Sequence, residues 1–318
     1  MAVRQETIPR LSLSAVPLLL MLTLLQIFLT PPTTTAFSAS FERSSISSGS
    51  ETSSSDRILS PEYFRSVYKD VNQQQQEQQE RQKTHKNGGS TPWDIGNHRP
   101  QPAIIRAYEE GKLRGHVLDA GCGVGENCVY LAQKYGISSV TGFDLSDDAV
   151  QIASDYVDAL QDRQEATAAP FWTKPRFFAA SCTAVADTHG SELLEGLIEM
   201  EDKGKDQRFF DVVVDSGLMH CLSEKDASQY VQQISKLVQP NTGRFYIGCF
   251  STANADPWDN PRRISEDYLR NELFSCHETW EVLSCKECWW ARPPSRGSST
   301  GGAFSLALWV EVRCLGNA

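Results

Sequence analysis

From residue 115 onward, short apolar runs alternate with amphipathic stretches. Residues 116–120, 140–144, 176–180 and 244–250 read as buried strands. Residues 209–215 (FFDVVVD) are almost wholly apolar, the pattern of a central parallel strand covered on both faces. Apolar positions recur at helical spacing over residues 126–135, 146–160 and 227–237, and another helix begins over 265–271. Residues 279–284 and 306–313 read as two late strands separated by a Gly/Ser-rich loop. Strand–helix alternation predicts an α/β fold: a doubly wound, mostly parallel seven-stranded sheet. The last two strands, with no full helix between them, form a C-terminal antiparallel hairpin at one edge. Ligands in such sheets lie beyond the carboxyl ends of the strands, so the residues after each strand are the ones to inspect.

The N-terminal portion has another pattern. Arg4 and Arg10 precede an apolar run over residues 15–29, followed by Pro31, Pro32 and Ala36-Phe37. A basic start, a short apolar stretch and a small exit residue describe a signal peptide over residues 1–36. The run is shorter than a comfortable membrane span and contains Pro17, so stable membrane insertion is not expected after processing; an uncleaved anchor is the alternative. Residues 37–59 are Ser-rich and transit-like, and expected to be disordered. Ser60-Pro61-Glu62 is a helix start, and Tyr63, Phe64, Val67, Tyr68 and Val71 then share one helical face. A Gln/Glu run over 72–82 is either a continuation of that helix or a low-complexity linker. The expected organisation is therefore leader (1–36), transit-like segment (37–59), helix and Gln-rich linker (60–90), and one large domain (91–318).

Composition narrows the function. A formal net charge of −10 argues against a nucleic-acid partner, which calls for a basic face, and favours a small molecule. A monomer is expected. The nine cysteines are odd in number and several lie in apolar runs, which fits free thiols better than a disulfide framework. Cys285-Lys-Glu-Cys288 is a lone CxxC without a matching second pair, so it reads as part of a strand and its turn, and no metal is expected.

The loop after the first strand carries the chemistry. It reads Asp119-Ala-Gly121-Cys122-Gly123-Val-Gly125-Glu126. A dinucleotide site wants G-x-G-x-x-G with a pyrophosphate on the following helix. Here Glu126 stands where that third glycine would be, and its carboxylate would repel a pyrophosphate at the helix start. A cationic cofactor meets no such repulsion. Asp119 can attract an ammonium group, and Asp144, ending the second strand, can accept hydrogen bonds from ribose hydroxyls.

Residues 117–131 (VLDAGCGVGENCVYL) and 142–146 (GFDLS) resemble the first two motifs of class I S-adenosylmethionine (SAM)-dependent methyltransferases. TPWDIG over 91–96, RPQP over 99–102, DVVVDSGLMHCL over 211–222 and PRRISEDYL over 261–269 resemble the thiopurine/thiol/halide methyltransferase-like branch. The resemblance implies a Rossmann-like methyltransferase fold with SAM as cofactor. It implies that Trp93 packs near the methionyl chain and that Asp94 and Gln101 line the mouth. Gly121, Cys122, Gly123 and Gly125 would carry the cofactor. Many SAM enzymes place an acid after the third strand; this chain has Ser181, which leaves the backbone of Cys182 for the adenine ring. Residues 36–41 likewise resemble the junction in bipartite plastid-targeting presequences of diatoms and related algae, so plastid delivery is expected, with the secretory pathway as the alternative.

Methyl transfer is an in-line displacement that rests on alignment in a dry pocket. The expected acceptor is a small molecule, a thiol or halide, which needs no base; His220 is the candidate base should one be used. Asp215, opening the loop after the fourth strand, belongs with the cofactor contacts. Met219, Phe250, Trp258 and Arg263, with Asp94, are the candidate acceptor contacts. A nicotinamide oxidoreductase and a non-catalytic protein of the same fold are the rivals. Glu126 argues against the first, and the intact glycine loop with Asp144 and Trp93 against the second.

Overall fold

The computed structural model describes residues 60–81, 95, 98–163, 169–198, 209–257, 260–292 and 304–316. The expected leader, the transit-like segment, Trp93, Asp94 and Trp258 lie outside these residues. Among the described residues, no helix is long and apolar enough to cross a membrane.

Seven strands form one sheet: β1 (Gly115–Ala120), β2 (Ile137–Asp144), β3 (Arg176–Ala179), β4 (Val212–Ser216), β5 (Arg244–Phe250), β6 (Trp280–Ala291) and β7 (Phe304–Cys314). Their order is β3-β2-β1-β4-β5-β7-β6. The first five pair in parallel, while β7 runs antiparallel to both β5 and β6. This is the fold class expected from the alternation. Strand order reverses between β1 and β4, where Ala120 sits beside Asp215, so a cleft opens beyond those two strand ends.

The helices are α1 (Pro61–Arg81), α2 (Pro102–Glu109), α3 (Glu126–Ala132), α4 (Asp147–Asp162), α5 (Val185–Ile198) and α6 (Glu224–Ser235). Local chemistry starts several of them. Ser60 Oγ accepts the N–H of Tyr63, Ser146 Oγ that of Ala149 and Ser223 Oγ that of Asp226, each satisfying a first-turn donor. A short π-helical stretch spans Tyr268–Leu273 where a helix was expected. The sheet is covered on both faces. One layer packs Val213, Tyr230, Phe245 and Leu308, and the other Ile104, Val117, Leu131 and Tyr246.

Of the two readings of the Gln/Glu run, the helical continuation holds, to Arg81. Two expectations change. Strand β6 runs to Ala291, so Cys285 and Cys288 both lie within the strand and there is no turn between them. Helices α2 and α5 were not anticipated. All nine cysteines are free, and no cluster among the described residues could hold a metal ion.

Candidate active site

A cavity of about 880 Å³ opens at the carboxyl ends of the strands. The glycine loop supplies one side of it through Gly121, Cys122 and Gly123. Backbone N–H groups of Gly121 and Cys122 both donate to the carbonyl of Phe143 at 2.9 Å, which folds the loop onto the end of β2. Gly125 lies behind, where a Cβ would meet the Phe177 ring at 3.0 Å.

Asp144 lines the cavity and secures the loop. One carboxylate oxygen accepts the N–H of Gly123 at 3.0 Å, and the other accepts that of Ser146 at 3.0 Å. Burial raises its pKa, and those backbone donors oppose the rise. Ser181 and Cys182 line the cavity after β3, with Ser181 Oγ paired to Thr183 Oγ1 at 2.9 Å. Burial pushes the Cys182 thiol up to about 12.

Two acids sit deeper than the sequence implied. Asp119 is fully buried and does not line the cavity. Its oxygens accept the Cys128 thiol at 3.3 Å and the Asn127 amide at 3.4 Å. Burial pushes its carboxyl up to about 7, and the Asp144 charge adds to the effect. Asn127, which does line the cavity, donates to Asp119 and so links that buried carboxyl to the cavity wall. Asp215 is also fully buried and off the lining. It accepts the N–H groups of Gly217 at 3.1 Å, Leu218 at 2.7 Å and Met219 at 3.0 Å, so its work is turning the chain after β4. Burial pushes it up to about 7 as well.

The other side of the cavity is aromatic. His220 stacks on Phe250 with ring centroids 4.6 Å apart and an interplanar angle of 4°. Trp290 meets His220 at 5.7 Å and Phe250 at 5.6 Å, edge-on to both. His220 is buried, its Nδ1 accepts the Phe250 N–H at 3.2 Å, and burial with the nearby Arg262 charge drives its pKa down to about 3. An imidazole so resistant to protonation is a poor proton acceptor, which weighs against its expected use as a base.

The remaining candidates divide. Gln101 lines the cavity, but its amide is committed: it donates to the Ala291 carbonyl at 3.0 Å and accepts the Ala291 N–H at 2.9 Å. Met219 is fully buried in the core, away from the lining. Arg263 donates to the backbone carbonyl of Asp256 and is also off the lining. Residues not foreseen complete the wall: Tyr63, Phe64 and Tyr68 from α1, Asn127 from α3, Trp290 from the end of β6 and Arg292 just after it. The aromatic face read on α1 was the available signal for its three, although no ligand role was drawn from it. Trp290 and Arg292 carried none, because strand β6 was expected to end before them.

Residues 93–311 match the methyltransferase-domain family. The 2-heptyl-1-hydroxyquinolin-4(1H)-one methyltransferase of Mycobacteroides abscessus is 30% identical over 193 residues, which cover 61% of this chain and 70% of that protein. The fold resembles the crystal structure of a SAM-dependent methyltransferase from Anabaena variabilis, with a TM-score of 0.54 and 14% identity over 83% of this chain and 100% of that one. It also resembles a structure solved in work on the conversion of a disulfide bond into a thioacetal group during echinomycin biosynthesis. There the TM-score is 0.51 and the identity 24%, over 73% of this chain and 87% of the other. The glycine loop secured by Asp144, the cavity beyond the strand ends and the family match agree: the chain belongs to the methyltransferase-domain family and is a SAM-dependent methyltransferase acting on a small molecule.

Proposed function

We propose that the acceptor is a flat, largely apolar aromatic molecule methylated on an acidic heteroatom, with aromatic thiols and N-hydroxy heterocycles as the leading chemistries. The observation that carries this reading is the wall of His220, Phe250 and Trp290, whose rings lie 4.6 to 5.7 Å apart on one cavity. Aromatic rings prefer such stacked and edge-on neighbours. The cavity volume is at the upper end of the range for small-molecule sites, room for a ring system beside a cofactor. Size therefore favours a ring over a halide ion. The relative from M. abscessus, named for a hydroxyquinolone substrate, supports the same choice. The thiol half of the thiol-or-halide expectation survives in it, as an aryl thiol.

SAM supplies a methyl group on a cationic sulfur. The chain's residues would do the rest: the glycine loop would give close backbone approach, Asp144 would offer its carboxylate toward ribose hydroxyls, and Asn127 and Glu126 at the start of α3 would meet the cationic end. The aromatic wall excludes water and sets the acceptor plane, so catalysis rests on alignment.

Turnover assays settle the acceptor class. Thiophenols and hydroxyquinolones should release demethylated cofactor faster than alkyl thiols or iodide, and Phe250→Ala should weaken the ring acceptors selectively. Turnover with iodide alone would refute the reading.

We propose further that residues 1–59 deliver the chain to a plastid in two steps; a fluorescent fusion of residues 1–60 held in the endoplasmic reticulum or cytosol would exclude it. A monomer without nucleic-acid affinity is proposed from the acidic net charge, with light scattering and a filter-binding assay as the checks.

A further inference from the structure

His220 is held in one tautomer. Its Nδ1 accepts the backbone N–H of Phe250 at 3.2 Å, so in the neutral ring the hydrogen resides on Nε2. The ring is packed against Phe250, stacked at 4.6 Å, and against Trp290, edge-to-face at 5.7 Å. Nε2 lies toward Gly217, where an added Cβ would stand 3.3 Å from it, and both residues line the cavity. To act as a base, Nε2 would need a free lone pair. That requires moving the hydrogen to Nδ1, which would set it head to head with the Phe250 N–H. A second proton is opposed too, since burial and the Arg262 charge hold the ring neutral.

We propose that His220 donates through Nε2–H to the ionised heteroatom of the acceptor, and that the site takes its acceptor as the anion. This deepens the methyltransferase reading and rests on it. The acceptor loses its proton to solvent before it binds. Its electron pair then forms the bond to the methyl carbon while the carbon–sulfur bond breaks, with that pair staying on sulfur. A sulfonium and an anion become two neutral products, and no side chain needs to accept a proton. Arg262 is close enough to oppose protonation of His220 and so favours an anion beside the ring, while Arg292 on the cavity lining pairs with Asp256 at 3.6 Å. A donor fixed in place before reaction is the arrangement that stabilises an oxyanion or thiolate without reorganisation. The acceptor is thus selected by acidity as well as by shape.

The test uses 4-nitrophenol, whose anion absorbs in the visible, titrated into the full protein saturated with S-adenosylhomocysteine at a pH just below the phenol's own pKa. Binding should bring up the anion band, and His220→Phe should lose it. His220→Gln is the second variant, because a carboxamide can accept the Phe250 N–H and still donate, yet cannot take a proton. His220→Phe should lower kcat/KM about 10- to 100-fold, and His220→Gln should stay within about threefold of the native enzyme. The proposal is overturned if the phenol binds in its neutral form, if it fails to bind to protein that holds the cofactor, or if Gln and Phe are equally impaired. Loss of cofactor binding by the native protein in calorimetry would instead overturn the methyltransferase reading itself.

Discussion

The hydroxyl of Tyr68 lies 2.8 Å from the point that a Cβ on Gly123 would occupy, so α1 rests on the backbone of the glycine loop. Gly123 has φ +54, a left-handed conformation that costs an L-residue about 1–2 kcal/mol. Gly123→Ala therefore adds strain and a collision together. SAM affinity should fall at least about tenfold, since one pK-scale factor of ten is about 1.4 kcal/mol. Part of that loss should return in the double variant with Tyr68→Phe, relative to Tyr68→Phe alone. Calorimetry on the four proteins measures the coupling.

Asp119 titrates near pH 7 in the absence of ligand because it is buried. A cation bound above Asn127 favours the carboxylate form, so binding should release a proton. SAM affinity should rise about three- to tenfold from pH 6 to pH 8, and Asp119→Asn should flatten the profile. Calorimetry at pH 7 in buffers of different ionisation enthalpy counts the proton. A flat profile in the native enzyme would mean that Asp119 does not sense the ammonium.

His220 titrates in the opposite sense in stability. Its folded pKa is depressed to about 3, below the ordinary value of 6.5. Its contribution is therefore fully present above pH 6.5 and is lost as pH falls toward 3. Urea unfolding at pH 8 and pH 4.5 should show His220→Gln gaining on the native protein by about 1 kcal/mol or more at the lower pH. Asp119 and Asp215, raised to about 7, run the other way: their contribution is full below their ordinary 3.8 and is lost as pH rises through 7.

The paired hydrogen bonds between Gln101 and the backbone of Ala291 join the start of α2 to the end of β6, 190 residues later. Gln101→Leu keeps the bulk and leaves both Ala291 groups without this partner. A loss of about 1–3 kcal/mol is expected in urea unfolding. Hydrogen exchange at Ala291 should quicken by more than at the middle of β6.

Much of this was legible from local pattern. The apolar runs located the central parallel strands, because a parallel strand buried on both faces must be apolar along its whole length, whereas the antiparallel, half-exposed β6 was read only to Ser284 of a strand that runs to Ala291. Helix α5 was missed because its apolar residues Leu193, Leu194 and Leu197 gather in its second half, after Thr188, His189 and Gly190. The glycine loop was legible because spacing and charge are sequence properties. The depth of Asp119 and Asp215 was not, since whether a carboxylate faces a cavity or turns inward depends on which backbone donors the folded chain presents. The tautomer of His220 was hidden for the same reason: it is set by the N–H of Phe250, 30 residues away.

Helix α1 closes one wall of the cavity. Among its described side chains Tyr68 and Val71 are buried, worth about 3–6 kcal/mol together. Asn72 adds a hydrogen bond to Asp148 on α4 at 2.6 Å. Because α1 forms that wall, its lifting is the expected route out for the spent cofactor, and pre-steady-state kinetics should show a rapid first turnover followed by a slower steady rate.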